Sequence, residues 1–406
     1  MRFTTRIPPL AAALCLAYGG SAAAAGDTDI ESRLKALEQQ MRSLSAQNNE
    51  LKSKLATAEK RLEESGERLD KVATSSEQTS ANHFGGYGEL HYNRLENKLT
   101  GGADKNEIDF HRFVLFYGHD FSSRTRFRSE LEVEHGVAAP GDPGEVGLEQ
   151  AYIEHDISDR LTAKVGLFLT PVGILNETHE PPSFYGVERN PVETNIIPST
   201  WREAGVNLTT RLDNGVSFDV AAHSGLAVAA SSTYAVRNGR TNAAEAPAKN
   251  PAVTARIKWA GIPGLELAAA YQRQGNIAQG ADPNVGAGSL LETHATLNRG
   301  PFGLKALWAR WTLDGSGPKA VGADRQEGFY LEPSFKLSEQ WGVFARYNRW
   351  DNKAGDSADS RNQQTNVGVN YWLDPHVVVK LDVQQQRVPA GNRRLDGLNL
   401  GIGYQF

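Results

Sequence analysis

The sequence predicts an all-β transmembrane barrel of about 16 antiparallel strands, preceded by an α-helical coiled coil. Three observations carry that reading. From Leu398 to the C-terminus every second side chain is apolar (Leu398, Leu400, Ile402, Tyr404, Phe406), with Asn399, Gly401, Gly403 and Gln405 between them. A period of two describes a strand with one apolar and one polar or small face, which suits lipid outside and water inside. The same period runs through the chain from His83, broken alternately by short turns and long polar loops. Ahead of it the period is seven.

The elements follow in order. Arg2 and Arg6, the apolar run Leu10–Ala17 and the small residues Ser21–Ala25 make 1–25 a signal peptide. Cys15, the single cysteine, falls inside it, so the mature chain carries neither disulfides nor thiol chemistry. Segment 26–73 reads as a coiled coil. Leu34, Met41, Asn48, Leu55, Leu62 and Leu69 occupy a positions; Ile30, Leu37, Leu44, Leu51, Ala58, Ser65 and Val72 occupy d positions. Arg33 with Glu38′ and Lys54 with Glu59′ are complementary between identical parallel chains, and Asn48 would fix their register. A parallel homo-oligomer is expected, with the choice between two and three strands open; a single solvated helix is the alternative. Segment 74–82 is a polar linker, and 83–406 is the barrel.

Strands are expected near 83–95, 106–121, 125–136, 146–157, 159–169, 201–212, 215–224 and 250–260, then 264–275, 288–298, 301–313, 326–337, 339–351, 362–373, 375–387 and 394–406. No run of eighteen apolar residues follows the leader, so spanning helices are excluded. Mean hydropathy of −0.46 decides nothing, because alternation averages out in a barrel. An even strand number puts both termini, and the coil, on the periplasmic side.

The long interruption 170–200 carries five prolines and is expected to fold inward as a constriction, the alternative being an external lid. Its candidate residues are His179, Glu180, Tyr185, Glu188 and Arg189. By parity the pore-lining cations are Arg126, Arg128, Lys164, Arg211, Arg256, Lys258, Arg310, Arg346 and Lys380, and the acids include Glu130, Glu132, Glu134, Glu154, Asp219 and Asp382. Charge on the lipid face near mid-membrane costs roughly 2–4 kcal/mol for Arg or Lys, which favours the inward assignment. About half of these cations are expected to be cross-strand ion pairs, such as Arg126 or Arg128 with Glu154, and the remainder to form an anion track.

The run from Gly166 to Leu208, the preceding YIEH and the terminal YQF resemble bacterial outer-membrane porins of the phosphate-selective O and P type, over about the barrel, and the coil is similar in layout to that of trimeric sucrose and dicarboxylate porins. The resemblance implies a homotrimer of sixteen-stranded barrels. Type members place basic clusters at the constriction, whereas 170–200 sets Arg189 against Glu177, Glu180, Glu188 and Glu193, so phosphate selectivity is not carried over.

The expected function is passive diffusion of small hydrophilic solutes through the outer membrane, anion-leaning (phosphate or other small anions). The alternative is an envelope tether, with the barrel anchoring a coiled-coil spacer toward peptidoglycan. Outer-membrane lipid, copies of the same chain and small solutes are the expected partners, together with peptidoglycan in the tether reading; nucleic acid is not. The histidines are scattered without metal-ligand spacing, and no nucleotide or nucleophile motif occurs. No enzyme activity, cofactor or metal is therefore expected.

Overall fold

In the computed structural model, residues 81–406 are described, together with helical residues 35, 38–39, 41–50, 52–55 and 57. The signal peptide, the linker before residue 81 and much of the heptad seam lie outside them. Met41, Leu44 and Leu55 are exposed on the helix, and Lys54 pairs with Glu50 one turn away at 2.8 Å.

Alternation drives the rest of the chain into strands: β1 (Asn82–Asn97), β2 (Lys105–Asp120), β3 (Thr125–Glu134), β4 (Val146–Asp156), β5 (Leu161–Leu169) and β6 (Arg202–Arg211). There follow β7 (Val216–His223), β8 (Ala252–Ile262), β9 (Leu265–Gln274), β10 (Gly288–Arg299) and β11 (Phe302–Leu313). The last are β12 (Arg325–Lys336), β13 (Trp341–Asp351), β14 (Asn362–Asp374), β15 (Val377–Arg387) and β16 (Leu395–Gln405). Each pairs antiparallel with its sequence neighbours, and β1 closes on β16. Closure satisfies the edge that an open sheet would leave bare in lipid. At the seam Gly86 and Phe406 exchange both backbone hydrogen bonds at 2.9 Å. The Phe406 ring stacks with Phe113 and Tyr404.

One end of the barrel has turns of two to four residues, and the other has loops of seven or more. Val165, Val220, Val253, Val367 and Val383 are exposed on the outer face. Across β14 to β16 the inward set includes Asn366, Asn370, Lys380, Asp382 and Asn399, all buried. The small residues of β16 also have a purpose: side chains added at Gly401 and Gly403 would meet Val187 and Pro181 of the 170–200 segment.

Two departures from strict alternation matter. Register shifts at Glu89/His91 and at Glu130/Leu131 turn neighbouring residues to the same side. His111 and Arg112 then both face inward, as do Glu149 and Gln150.

The inner wall is also not polar throughout, contrary to the expectation of a wet lumen all round. Along β9 to β13, Ala270, Leu290, Leu307, Ala309, Trp311, Leu313, Tyr330 and Trp350 are buried in one apolar cluster. Val192, Ile196, Ile197 and Trp201 pack on them from one connection, Leu226, Val228 and Val236 from the connection before β8, and Ile277 and Val285 from the one before β10. Loops have filled that arc of the lumen.

This apolar arc overturns the placement of Arg310. Its register partners are Leu291 and Glu327, while buried Trp311 opposes Leu290 and Gln326. Arg310 therefore points outward. Its guanidinium pairs with Glu327 at 2.8 Å and covers the Trp308 ring at 5.1 Å. The position is close to the loop end of β11, where a charge on the outer face costs only about 0–1 kcal/mol. Alternation holds along β11, but its inward residues are the buried Leu307, Ala309 and Trp311, so the inward assignment of Arg310 fails.

Candidate functional site

The site is built on the segment between β5 and β6, which crosses the lumen. Glu193 organises it. Buried at the start of the helical turn Val192–Asn195, its carboxylate accepts from the Ile174 and Leu175 amides (both 2.7 Å), Asn190 Nδ2 (2.8 Å) and the Tyr330 hydroxyl (3.0 Å). Four donors offset the desolvation of one charge. Across the lumen Arg346 donates to the Tyr185 and Glu188 carbonyls (3.2 and 3.0 Å), and Asp382 accepts from the Val187 amide at 2.9 Å. Lys380 lies 3.4 Å over the Phe184 ring, and Tyr185 packs on Phe344 and Trp372.

A second anchor is His179, whose Nε2 is 3.3 Å from Glu130 and 3.6 Å from Glu149. Burial disfavours the imidazolium, but hydrogen bonds to the two carboxylates outweigh it and raise His179 to about 10. The ring therefore stays cationic at neutral pH.

Most wall charges are consumed by neighbours. Arg126 joins Glu154 (2.9 Å) and Asp156 (2.7 Å), and Arg128 joins Asp120 (2.8 Å) rather than Glu154. Arg256 binds Asp219 at 2.8 Å and also Glu177 of the crossing segment. Lys258 faces Glu266 at 3.4 Å, and Arg346 faces Glu332 at 3.1 Å. Glu132 is held by Arg112 at 2.9 Å, which also binds Glu89 at 2.7 Å. Lys164 covers the Tyr152 ring at 5.1 Å and has no carboxylate partner among the described residues. Arg211 shares a cavity of about 650 Å³ with Lys164 and Lys305 toward the short-turn end.

The acids of the crossing segment are likewise consumed. Glu177 is bound to Arg256 and Glu193 is saturated by donors. Glu188 accepts from Asn93 at 3.1 Å and lies 3.4 Å from His91. Glu180 alone of the four has no side-chain partner among the described residues, and it borders a different cavity.

Toward the long-loop end a vestibule of about 510 Å³ is lined by Arg189, Arg202, Arg237 and Arg240, with Glu134 and Glu145 among its acids. Arg189, Arg237 and Arg240 form no ion pair among the described residues. Arg237 donates to the Thr194 carbonyl and Arg240 to the Ser199 carbonyl at 3.1 Å. Burial, then the neighbouring Arg237 and Arg202, lower Arg240 to about 10. Sequence reasoning missed Arg237 and Arg240 because the connection before β8 looked like an ordinary outer loop. The only signal was its length.

A closed antiparallel barrel with apolar walls outside and a charged, partly filled lumen is an outer-membrane channel of the porin kind. Residues 179–391 match the Gram-negative porin family, and the chain belongs to that family. An uncharacterised protein of Aquifex aeolicus (strain VF5) is 30% identical over 331 residues, covering 74% of each chain. The barrel is also similar to an anion-selective porin from Comamonas acidovorans (TM-score 0.58, 12% identity, 81% of this chain and 100% of that one). It is similar as well to the trimer form of in-vitro folded OmpT, an outer membrane protein of Vibrio cholerae (TM-score 0.52, 10% identity, 80% and 100%). Family and fold point to a channel rather than an enzyme.

Proposed function

We propose that the protein passes small hydrophilic solutes passively and favours anions, with 170–200 as the constriction. One observation carries this. Of the acids of that segment, Glu177 is paired with Arg256, Glu188 lies against His91 and Asn93, and Glu193 is enclosed by four neutral donors, while Arg189, Arg237 and Arg240 stand together without carboxylate partners among the described residues. On the short-turn side Lys164, Arg211 and Lys305 continue a basic path. Basic linings favour anions in a water-filled pore. The anion-selective Comamonas porin shares the fold, which is compatible with this reading but does not carry it.

The N-terminal helix fits the same picture as a periplasmic coil. Met41 and Leu44 are exposed on one chain, and burying them against identical helices supports a homotrimer, the state named for the OmpT structure above. Reversal potential across a salt gradient in planar bilayers tests the selectivity, with anions expected to carry most of the current. A cation-preferring potential would sink it.

A further inference from the structure

The vestibule wall holds a grouping that anion passage does not use. His91 of β1, His111 of β2 and His135, the residue after β3, lie far apart in sequence. Strand pairing sets His91 against Asp109, and the bulge beside it turns His111 inward. The His91 and His111 rings then stack with centroids 4.5 Å apart, and His111 meets His135 edge-on at 5.6 Å. Asp109 holds Nδ1 of His111 at 2.9 Å and Nδ1 of His135 at 3.0 Å.

His91 is the telling residue. Only 4% exposed, it has Nε2 3.3 Å from Glu89. Among the described residues its Nδ1 makes no hydrogen bond, and it stands 3.4 Å from a Glu188 carboxylate oxygen. A buried ring nitrogen without a hydrogen bond is costly, and here it is aimed at a carboxylate and a second imidazole. The ligand atoms of His91, His111 and Glu188 all lie within 4.8 Å of one another. His111 has Nδ1 on Asp109 and His91 has Nε2 beside Glu89, carboxylate contacts of the kind that orient metal-bound histidines.

We propose that His91, His111 and Glu188 bind one first-row divalent transition-metal ion of the zinc, nickel or copper class, with Asp109, Glu89 and His135 as the supporting shell. Two imidazoles and a carboxylate suit those ions better than magnesium or calcium, which prefer oxygen alone. The bound ion joins the crossing segment, through Glu188, to the wall formed by β1 and β2. It fastens the edge of the segment that the apolar cluster leaves free.

The test is calorimetric titration of the folded full chain in detergent with Zn²⁺, and with Mg²⁺ as control. The expected result is one Zn²⁺ per chain and no response to Mg²⁺. His91→Gln and His111→Gln should each weaken Zn²⁺ binding about tenfold or more. Heat-modifiable gel migration verifies that each variant barrel is closed. Glu188→Gln, on the crossing segment rather than a strand, supplies the same reading should a strand variant misfold. Co²⁺ in place of Zn²⁺ should give a visible ligand-field band that these variants lose. No stoichiometric Zn²⁺ binding, or binding that survives all three substitutions, would overturn the site. Selectivity measured in chelator-treated buffer tests the pore separately, so the two proposals fail independently.

Discussion

Two arcs of one lumen are built on opposite rules. Along β9 to β13 the inner wall carries an apolar cluster beside buried Glu292, Glu332 and Arg346, and four connections pack onto that cluster around Trp201 and Trp311. Along β1 to β6 the inner wall is a lattice of guanidinium groups and carboxylates, with the vestibule beside it. Burial of apolar area is non-directional and contributes about 25 cal/mol per Å², so the first arc can be filled by any connection of suitable shape. Paired charges need specific geometry, and the second arc keeps the vestibule of about 510 Å³ beside it unfilled. Facing inward in a barrel thus fixes the side of the sheet but not the solvent.

The largest test of this contrast is Trp311→Ala. The indole is fully buried, lies 5.9 Å from Trp201 and donates to the Ile196 carbonyl at 3.0 Å. Its loss should cost about 3–5 kcal/mol of loop docking, seen as protease cutting within 224–251 and a larger single-channel conductance in an intact barrel. An unchanged conductance and digestion pattern would mean that the apolar arc does not hold the loops.

Alkaline pH should act on the opposite side. His179 is raised in the folded chain from 6.5 to about 10. Its contribution is therefore complete below pH 6.5 and lost as pH rises toward 10, by about 1.4 kcal/mol per pH unit. The crossing segment should loosen over that window, measured as rising open-channel noise, and His179→Gln should remove the dependence. Noise that stays flat between pH 7 and 9.5 in the unmodified protein counts against the anchor.

Glu193→Gln probes the junction of the two arcs. A neutral amide cannot accept as strongly from the same four donors, and a loss of about 2 kcal/mol is expected. Hydrogen exchange of the Ile174 and Leu175 amides should accelerate; unchanged protection would show that the carboxylate is dispensable.

The charged arc is sharpened by removing Arg189, Arg237 and Arg240 together as serines. At roughly 8 Å in water with salt screening, each charge contributes about 0.25 kcal/mol to a passing ion, favourable for an anion and unfavourable for a cation. The anion-to-cation permeability ratio should fall about tenfold. The smallest effect separates free from paired cations. Arg211→Ala should lower that ratio about twofold. Arg256→Ala should instead reduce thermal stability, since it leaves Asp219 and Glu177 without their cation. Equal selectivity changes for the two would erase the distinction between paired and free charge.

Much of the fold was legible because alternation is local. Leu398 to Phe406 assign strand and face from neighbouring residues alone, and the observed strands start and stop within a few positions of expectation. The site was less legible. Arg310 was misplaced because Trp311 and Leu307, on the opposite face of β11, are the ones buried under returning loops. His111 and Glu149 were invisible to parity because bulges shift it. The acidic count of 170–200 does not translate into free carboxylates, because Glu177, Glu188 and Glu193 each find partners more than ten residues away.

By itself, then, the sequence determined that the chain past residue 82 forms a strand series with one face for hydrocarbon, because side-chain direction in a strand follows from covalent geometry. Which connections enter the lumen, which charges remain unpaired there and which histidines meet were decided only by tertiary structure. Those outcomes depend on register and on contacts between residues distant in sequence, whose free energies no local pattern records.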